Sequence, residues 1–158
     1  MTASPHPMPT PASPSGEDLL LTLPARPENV ARVRRAVGAF ARTMGFDEDG
    51  VADVALALSE ACANVVVHAY RSEATETVLE VRATCTDEAL EVVVADQGGG
   101  MAPRTDSPGL GLGLPLMASL ASTLELREAP GGGTEVWMTF ERRRLMPAPD
   151  PIPFGRAG

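Results

Sequence analysis

Two stretches in the first half of the chain repeat apolar residues every three or four positions, as a helix with one buried face does. The first begins at Pro27, which suits the first turn of a helix, and ends near Gly45. Its apolar positions are Val30, Val33, Val37, Phe40 and Met44. The second begins at Asp47, a good N-terminal cap, and runs to about Ala69. Its apolar positions are Val51, Val54, Ala55, Leu58, Cys62, Val65 and Val66.

Shorter apolar and β-branched runs predict strands before and after these helices. The runs are Leu19–Leu23, Thr77–Thr86, Ala89–Asp96, Thr123–Glu128 and Thr134–Glu141. A short third helix is predicted over about Leu112–Ala121. The order β-α-α-β-β-α-β-β places hairpins next to each other, which excludes a simple βαβ repeat. The sequence therefore predicts an α+β fold, a two-layer sandwich with helices on one face of a mixed, mostly antiparallel sheet.

Proline marks the edges of the folded part. Five of the 15 prolines fall within residues 1–16, and four more fall between Pro147 and Pro153. Such segments bury too little apolar surface to offset the entropy lost on ordering. We expect one domain over residues 17–144, with disordered proline-rich tails at 1–16 and 145–158.

Composition narrows the class of protein. The formal net charge of −8 argues against a protein that grips nucleic acid directly. Two cysteines, Cys62 and Cys85, are too few for a disulfide scaffold or a cysteine zinc site. No apolar run approaches the roughly 18–20 residues that span a bilayer, and the N-terminus does not resemble a secretory signal. The expectation is a cytoplasmic protein that does not enter a membrane.

The second predicted helix carries little charge. Between Val51 and Ala69 its acidic residues are Asp53 and Glu60, and Glu60 lies four residues before Asn64. The pair therefore shares one helical face, on which Ala57 and Val67 are expected as neighbours. An exposed patch on the helix edge is one interpretation. The other is a functional pair, because a carboxylate can act as a general base and an amide oxygen can bind Mg²⁺.

Three glycine-rich segments are the next candidates. Asp96-Gln97-Gly98-Gly99-Gly100-Met101 ends a predicted strand, Gly109–Leu114 leads into the third helix, and Gly131–Thr134 joins the last two strands. Each could be a simple turn. Three consecutive glycines are nonetheless entropically costly in a turn, and glycine allows a ligand to approach the backbone closely. A glycine loop before a helix also directs backbone N–H groups at an anion.

Taken in order, the helix segment with Glu60 and Asn64 and the three glycine-rich segments resemble the boxes of the GHKL ATPase superfamily, which has the Bergerat ATP-binding fold. The resemblance covers nearly all of Leu19–Phe140. It is greatest to the small anti-sigma factor serine/threonine-protein kinases, whose N box is similar to the segment Glu60–Tyr70. The family implies a regulator that uses Mg²⁺ and ATP to phosphorylate a STAS-type anti-sigma antagonist. It also implies binding to a sigma factor and self-association as a homodimer.

The resemblance also implies a role for each residue that matches a family motif. Glu60 would be the catalytic base, Asn64 would bind Mg²⁺ and ATP, and Asp96 would accept a hydrogen bond from the adenine amine, with Thr134 nearby. The remaining ATP-binding residues would be Gly98, Gly100, Met101, Gly109, Leu110, Gly111, Leu112 and Gly113. For His68, a part in the family motif and a favourable position near the C-terminus of its helix are equally good explanations.

The segment Ala102–Pro108 departs from the family. It is shorter than the lid that usually folds over the triphosphate, and Arg104 is its only basic residue. Phosphoryl transfer depends on positioning and neutralising the γ-phosphate. A second hypothesis is therefore a nucleotide-dependent binding module with little or no kinase activity.

The first predicted helix region is basic in an acidic chain. Its five arginines, set against the single acid Glu28, are Arg26, Arg32, Arg34, Arg35 and Arg42. A solvated helix face is one interpretation. The other is a contact surface for an acidic partner, because the arginine fork pairs carboxylates in two places.

Overall fold

The computed structural model describes residues 18–71, 77–96, 110–130 and 132–143. Both predicted proline-rich tails lie outside these ranges. The elements are β1 (Asp18–Pro24), α1 (Pro27–Thr43), α2 (Glu48–Arg71), β2 (Val78–Cys85), β3 (Ala89–Asp96), α3 (Leu110–Leu120), β4 (Thr123–Glu128) and β5 (Thr134–Glu141). This is the predicted order, with most boundaries within two residues of those expected.

The five strands form one sheet in the order β1-β2-β3-β5-β4. The sequence predicted a mixed, mostly antiparallel sheet, and all four ladders that join the described strands are antiparallel. The predicted α+β class is confirmed. Strand β3 lies at the centre, between β2 and β5, so its C-terminal end is enclosed by neighbours on both sides.

Alternation along the strands shows which face carries the helices. Leu90, Val92 and Val94 of β3 belong to the main core, as do Val136 and Met138 of β5. Successive strand residues point to opposite faces, so the even-numbered residues of β3 and β5 face the helical layer. By the same rule, Asp96 and Thr134 lie on the helical side of the sheet.

Helix α2 is the centre of the helical layer, since α1 and α3 both pack against it and it packs on the sheet. Val54, Leu58 and Val65 are fully buried there. Ala55, expected in the core, is only half-buried, and Ala57 and Ala61 are buried in its place. These small side chains let neighbouring elements approach α2 closely.

One expectation about α2 is wrong. Its segment Glu48–Ala69 is long and apolar enough to cross a membrane by length and composition, although no such run was expected. The reason is that α2 is a core helix. Its apolar residues are needed on the sides that contact the sheet, α1 and α3, and alanines and valines occupy much of the remainder.

Local interactions fix where the first two helices begin and end. The Oδ1 atom of Asp47 accepts a hydrogen bond from the N–H of Gly50 at 2.7 Å, which confirms the predicted cap. Gly45 has a φ of 86°, the left-handed conformation that ends many helices. Asn29, a buried polar residue that the apolar pattern does not reveal, donates to the carbonyl of Pro24 at 2.8 Å and holds α1 to β1.

Helix α3 begins earlier than predicted. It starts at Leu110, two residues before the predicted start at about Leu112, so part of the glycine motif forms its first turn. Glycine and proline have poor helix propensity, so the sequence pattern predicts a later start for this helix. Tertiary packing outweighs this preference, because Met117 is fully buried and Leu114 packs on the core.

Two leucines on α2 test how much the helix contributes to the core. Leu58 is 1% exposed and Leu56 is 45% exposed. We expect Leu58→Ala to lower the free energy of unfolding by about 2–5 kcal/mol, because it leaves a cavity. The matched variant Leu56→Ala should change it by less than about 0.5 kcal/mol. Urea titration measures both, and equal losses would contradict this position of α2.

Candidate functional site

Glu60 and Asn64 lie one turn apart in the middle of α2, and both side chains are half-buried. The expected neighbours of the pair differ from each other, because Ala57 is buried whereas Val67 is 43% exposed. The pair therefore stands at the boundary between the core and the outer surface of the helix. A carboxylate and a carboxamide in this position are accessible to a ligand and still held by a rigid element.

Helix α3 brings the second glycine motif onto this pair. Gly113 is buried, and a Cβ atom built on it would lie 3.4 Å from Oε2 of Glu60 and 3.8 Å from Nδ2 of Asn64. Any larger side chain would fill the space in front of both polar groups. Glycine thus leaves room beside an oxygen of Glu60 and the amide group of Asn64, and carboxylate and amide oxygens are the ligands that Mg²⁺ prefers.

Asp96 lies at the end of the central strand and is only 2% exposed. Buried carboxylates are uncommon unless they have partners, and this one takes part in an interaction within the protein. It faces the helical layer by strand alternation. A buried carboxylate at the end of the central strand can serve as a directional acceptor for an N–H group of a ligand.

The turn between β4 and β5 closes against Asp96. In the β3–β5 register Ala95 pairs with Glu135, so the next position along places Asp96 opposite Thr134. Gly133 has a φ of 131°, and a Cβ atom built on it would collide with the carbonyl oxygen of Asp96. Glycine is therefore required here for the close approach of two backbones. The predicted Gly-Thr element and the predicted Asp box are brought together.

The remaining predicted site residues are described only in part. Gly98, Gly100, Met101 and Gly109 lie outside the described residues, as does the segment Ala102–Pro108. The backbone of Leu110, Gly111 and Leu112 forms the beginning of α3. The structure thus brings Glu60, Asn64 and Gly113 together in one cluster and Asp96, Gly133 and Thr134 in another.

Other chemistry is less well supported in the described ranges. Across them, no three His, Cys, Asp or Glu side chains gather in a way that could hold a metal ion. Burial raises the pKa of the Cys62 thiol to about 12, so it remains protonated and is no nucleophile. A cavity of about 200 Å³ lies near the N-terminus of α2, beside Phe46 and Phe140. Its Arg143 is paired with Asp53 at 3.0 Å.

Comparison with known proteins shows the family of this chain. The family model for the histidine kinase-like ATPase domain matches residues 23–140. The serine-protein kinase RsbW of Bacillus licheniformis is 36% identical, over 73% of this chain and 80% of its own length. The RsbW of Bacillus subtilis strain 168 is 34% identical, over 75% of this chain and 82% of its own length.

A solved structure shares the fold. The crystal structure of the RsbU and RsbW domains of a Mycobacterium tuberculosis protein has a TM-score of 0.63 and 25% sequence identity to this chain. The similarity covers 81% of this chain and 33% of the other. This chain therefore corresponds to about a third of that longer protein.

Two adjacent glycines test the close approach of the β4–β5 turn to Asp96. Both have positive φ, but a Cβ atom on Gly132 would meet nothing within 4 Å. We expect Gly133→Ala to lower the free energy of unfolding by about 1–3 kcal/mol more than Gly132→Ala does. Urea titration of both variants provides the comparison. Equal losses would mean that only the backbone conformation, and not the contact with Asp96, requires glycine.

Proposed function

Because the chain belongs to the histidine kinase-like ATPase domain family, and within it to the RsbW serine-protein kinases, we propose that it is a kinase that uses Mg²⁺ and ATP. Its substrate would be a serine or threonine of an anti-sigma antagonist protein. It would also bind a sigma factor. The observation that best supports this proposal is the position of Gly113 against Glu60 and Asn64. Such an arrangement can hold a nucleotide phosphate beside a base.

Nucleotide binding would be divided between the two clusters. Asp96 would accept a hydrogen bond from the exocyclic amine of adenine, and Thr134 would contact the same base. The glycines that precede and begin α3 would leave space for the phosphates. The N-terminus of a helix attracts such anions through its free backbone N–H groups. Asn64 would hold Mg²⁺, which neutralises phosphate charge when it is bound.

Glu60 would act as the general base. Its carboxylate would accept the proton of the attacking serine or threonine hydroxyl as the new oxygen–phosphorus bond forms. The bond between the γ-phosphorus and the oxygen bridging to the β-phosphate breaks in the same transfer, and ADP leaves. The rigid helical position of Glu60 would keep its carboxylate within reach of the hydroxyl.

The arginine-rich surface of α1 is a candidate contact for the acidic partner. Arg42 is already engaged, because its guanidinium makes two hydrogen bonds to Glu48 at 2.8 and 3.0 Å. This contact raises the pKa of Arg42 and lowers that of Glu48. Arg34 and Arg35 are exposed, and no ion pair is found for either within the described ranges. These two are therefore available to receive carboxylates. We also propose that the protein works in the cytoplasm.

Two substitutions separate nucleotide binding from chemistry. Asp96→Asn should weaken ATP binding about 10- to 100-fold, because a charged acceptor is lost. The exposed Asp87→Asn on the β2–β3 hairpin is the control and should leave affinity unchanged. Glu60→Gln should bind ATP normally but transfer phosphate about 10²–10⁴ times more slowly.

Calorimetry with Mg²⁺ and ATP measures the binding, and transfer of labelled phosphate to the antagonist encoded nearest the gene measures the reaction. Transfer by Glu60→Gln at the wild-type rate would contradict the role of Glu60. If the wild-type protein binds ATP and changes its affinity for partners but labels no antagonist, the nucleotide-dependent binding module is correct instead.

Charge reversal tests the α1 surface. Arg34→Glu combined with Arg35→Glu should leave ATP affinity intact and slow association with an acidic partner protein, because rim charges act mainly on the association rate. The effect should shrink as salt is added. Kinetic binding measurements at two salt concentrations provide the test. Identical association by wild-type and variant proteins at both would identify α1 as an ordinary solvated face.

A further inference from the structure

The outer surface of α2 is apolar where a solvated helix normally carries charge. Leu56 is 45% exposed and Val67 is 43% exposed. They are two of the four large hydrophobic side chains that the described residues leave exposed. Ala52 and Ala63 are also exposed on this helix. We call these four residues, Ala52, Leu56, Ala63 and Val67, the α2 apolar face.

The α2 apolar face is aligned with Glu60. Residues four and seven positions apart lie on the same side of a helix, and Leu56 and Val67 stand four before and seven after Glu60. At about 100° per residue, both lie within about 40° of Glu60 around the helix axis. Along the helix axis the carboxylate therefore lies between two exposed apolar side chains, at the margin of the α2 apolar face that is nearest to Gly113 of α3.

We propose that the α2 apolar face is the docking surface for the protein substrate. An apolar segment of that substrate, next to its phosphoacceptor hydroxyl, lies across Leu56 and Val67. This proposal rests on the proposed function, because it takes Glu60 as the base. It adds what the nucleotide site alone does not specify, namely how a protein hydroxyl reaches that base.

Charge favours a protein of acidic character on this surface. Helix α1 packs beside α2 and exposes Arg34 and Arg35. A partner with an apolar segment bordered by carboxylates would thus match both helices. A second copy of this chain fits less well, because a symmetric contact across α2 would bring the α1 arginines of both copies towards each other.

Leu56→Gln combined with Val67→Gln tests the docking surface, since glutamine keeps the helix and removes the apolar contact. Leu20→Gln combined with Leu126→Gln is the matched control, because these two leucines are exposed on strands β1 and β4. The measurements are KM and kcat for phosphorylation of the antagonist encoded nearest the gene. The Kd of that antagonist in the presence of ADP and sedimentation of the kinase alone complete the set.

We expect the α2 variant to raise KM and Kd for the antagonist by roughly tenfold, since two apolar contacts are lost. Its kcat and its affinity for ATP should change by less than about twofold, as should every value for the control variant. Unchanged KM and Kd overturn the proposal. So does a wild-type dimer that the α2 variant converts to monomer with antagonist binding unaltered, which would assign the face to a second copy.

The Kd separates this proposal from the proposed function. If wild-type protein binds the antagonist but transfers no phosphate, the kinase assignment fails, while a weakened Kd in the α2 variant still supports docking. If wild-type protein transfers phosphate and the variant does so with the same KM, the docking proposal alone fails. If wild-type protein does not bind the antagonist at all, the docking proposal is wrong.

Discussion

Burial of α2 against the sheet determines the direction of every polar group that the helix carries. Val54, Leu58 and Val65 fill the core beneath it, each contributing about 1.5–3 kcal/mol relative to an exposed position. A helix fixed on one side cannot rotate without exposing those residues. Glu60 and Asn64 are therefore held at the edge of the core, a position that they would not keep on a mobile segment.

Two glycines near the candidate site impose a second constraint. Gly113 leaves room in front of Glu60 and Asn64, and Gly133 lets the β4–β5 turn reach the carbonyl of Asp96. A Cβ atom at Gly133 would collide with the backbone of Asp96, and one at Gly113 would occupy the space beside the two polar groups of α2. The apolar core fixes the elements, and these glycines allow the elements to meet closely enough to form a site.

The sequence predicted most of the fold because the local pattern and the tertiary structure agree. The spacing of Val33 and Val37, the cap at Asp47 and the break at Asp87-Glu88 between two predicted strands all depend on neighbours in the chain. Helix α3 starts two residues before the predicted position because packing of Met117 outweighs the poor helix propensity of glycine and proline. The grouping of Gly113 with Glu60, and of Gly133 with Asp96, needs three-dimensional contacts that no local pattern contains; only the order of the motifs, through a family resemblance, anticipated it.

Hydrogen exchange with and without Mg²⁺ and ATP tests most directly whether these contacts form one nucleotide site. If they do, amide exchange should become slower on ATP addition at the middle of α2, at the start of α3 and around Asp96 and Gly133. Exchange should be unchanged at the β2–β3 hairpin and at the cavity beside Phe46 and Arg143, which lie away from both clusters. Protection confined to that cavity, or no protection around Glu60 and Asp96 at saturating ATP, would contradict a single nucleotide site.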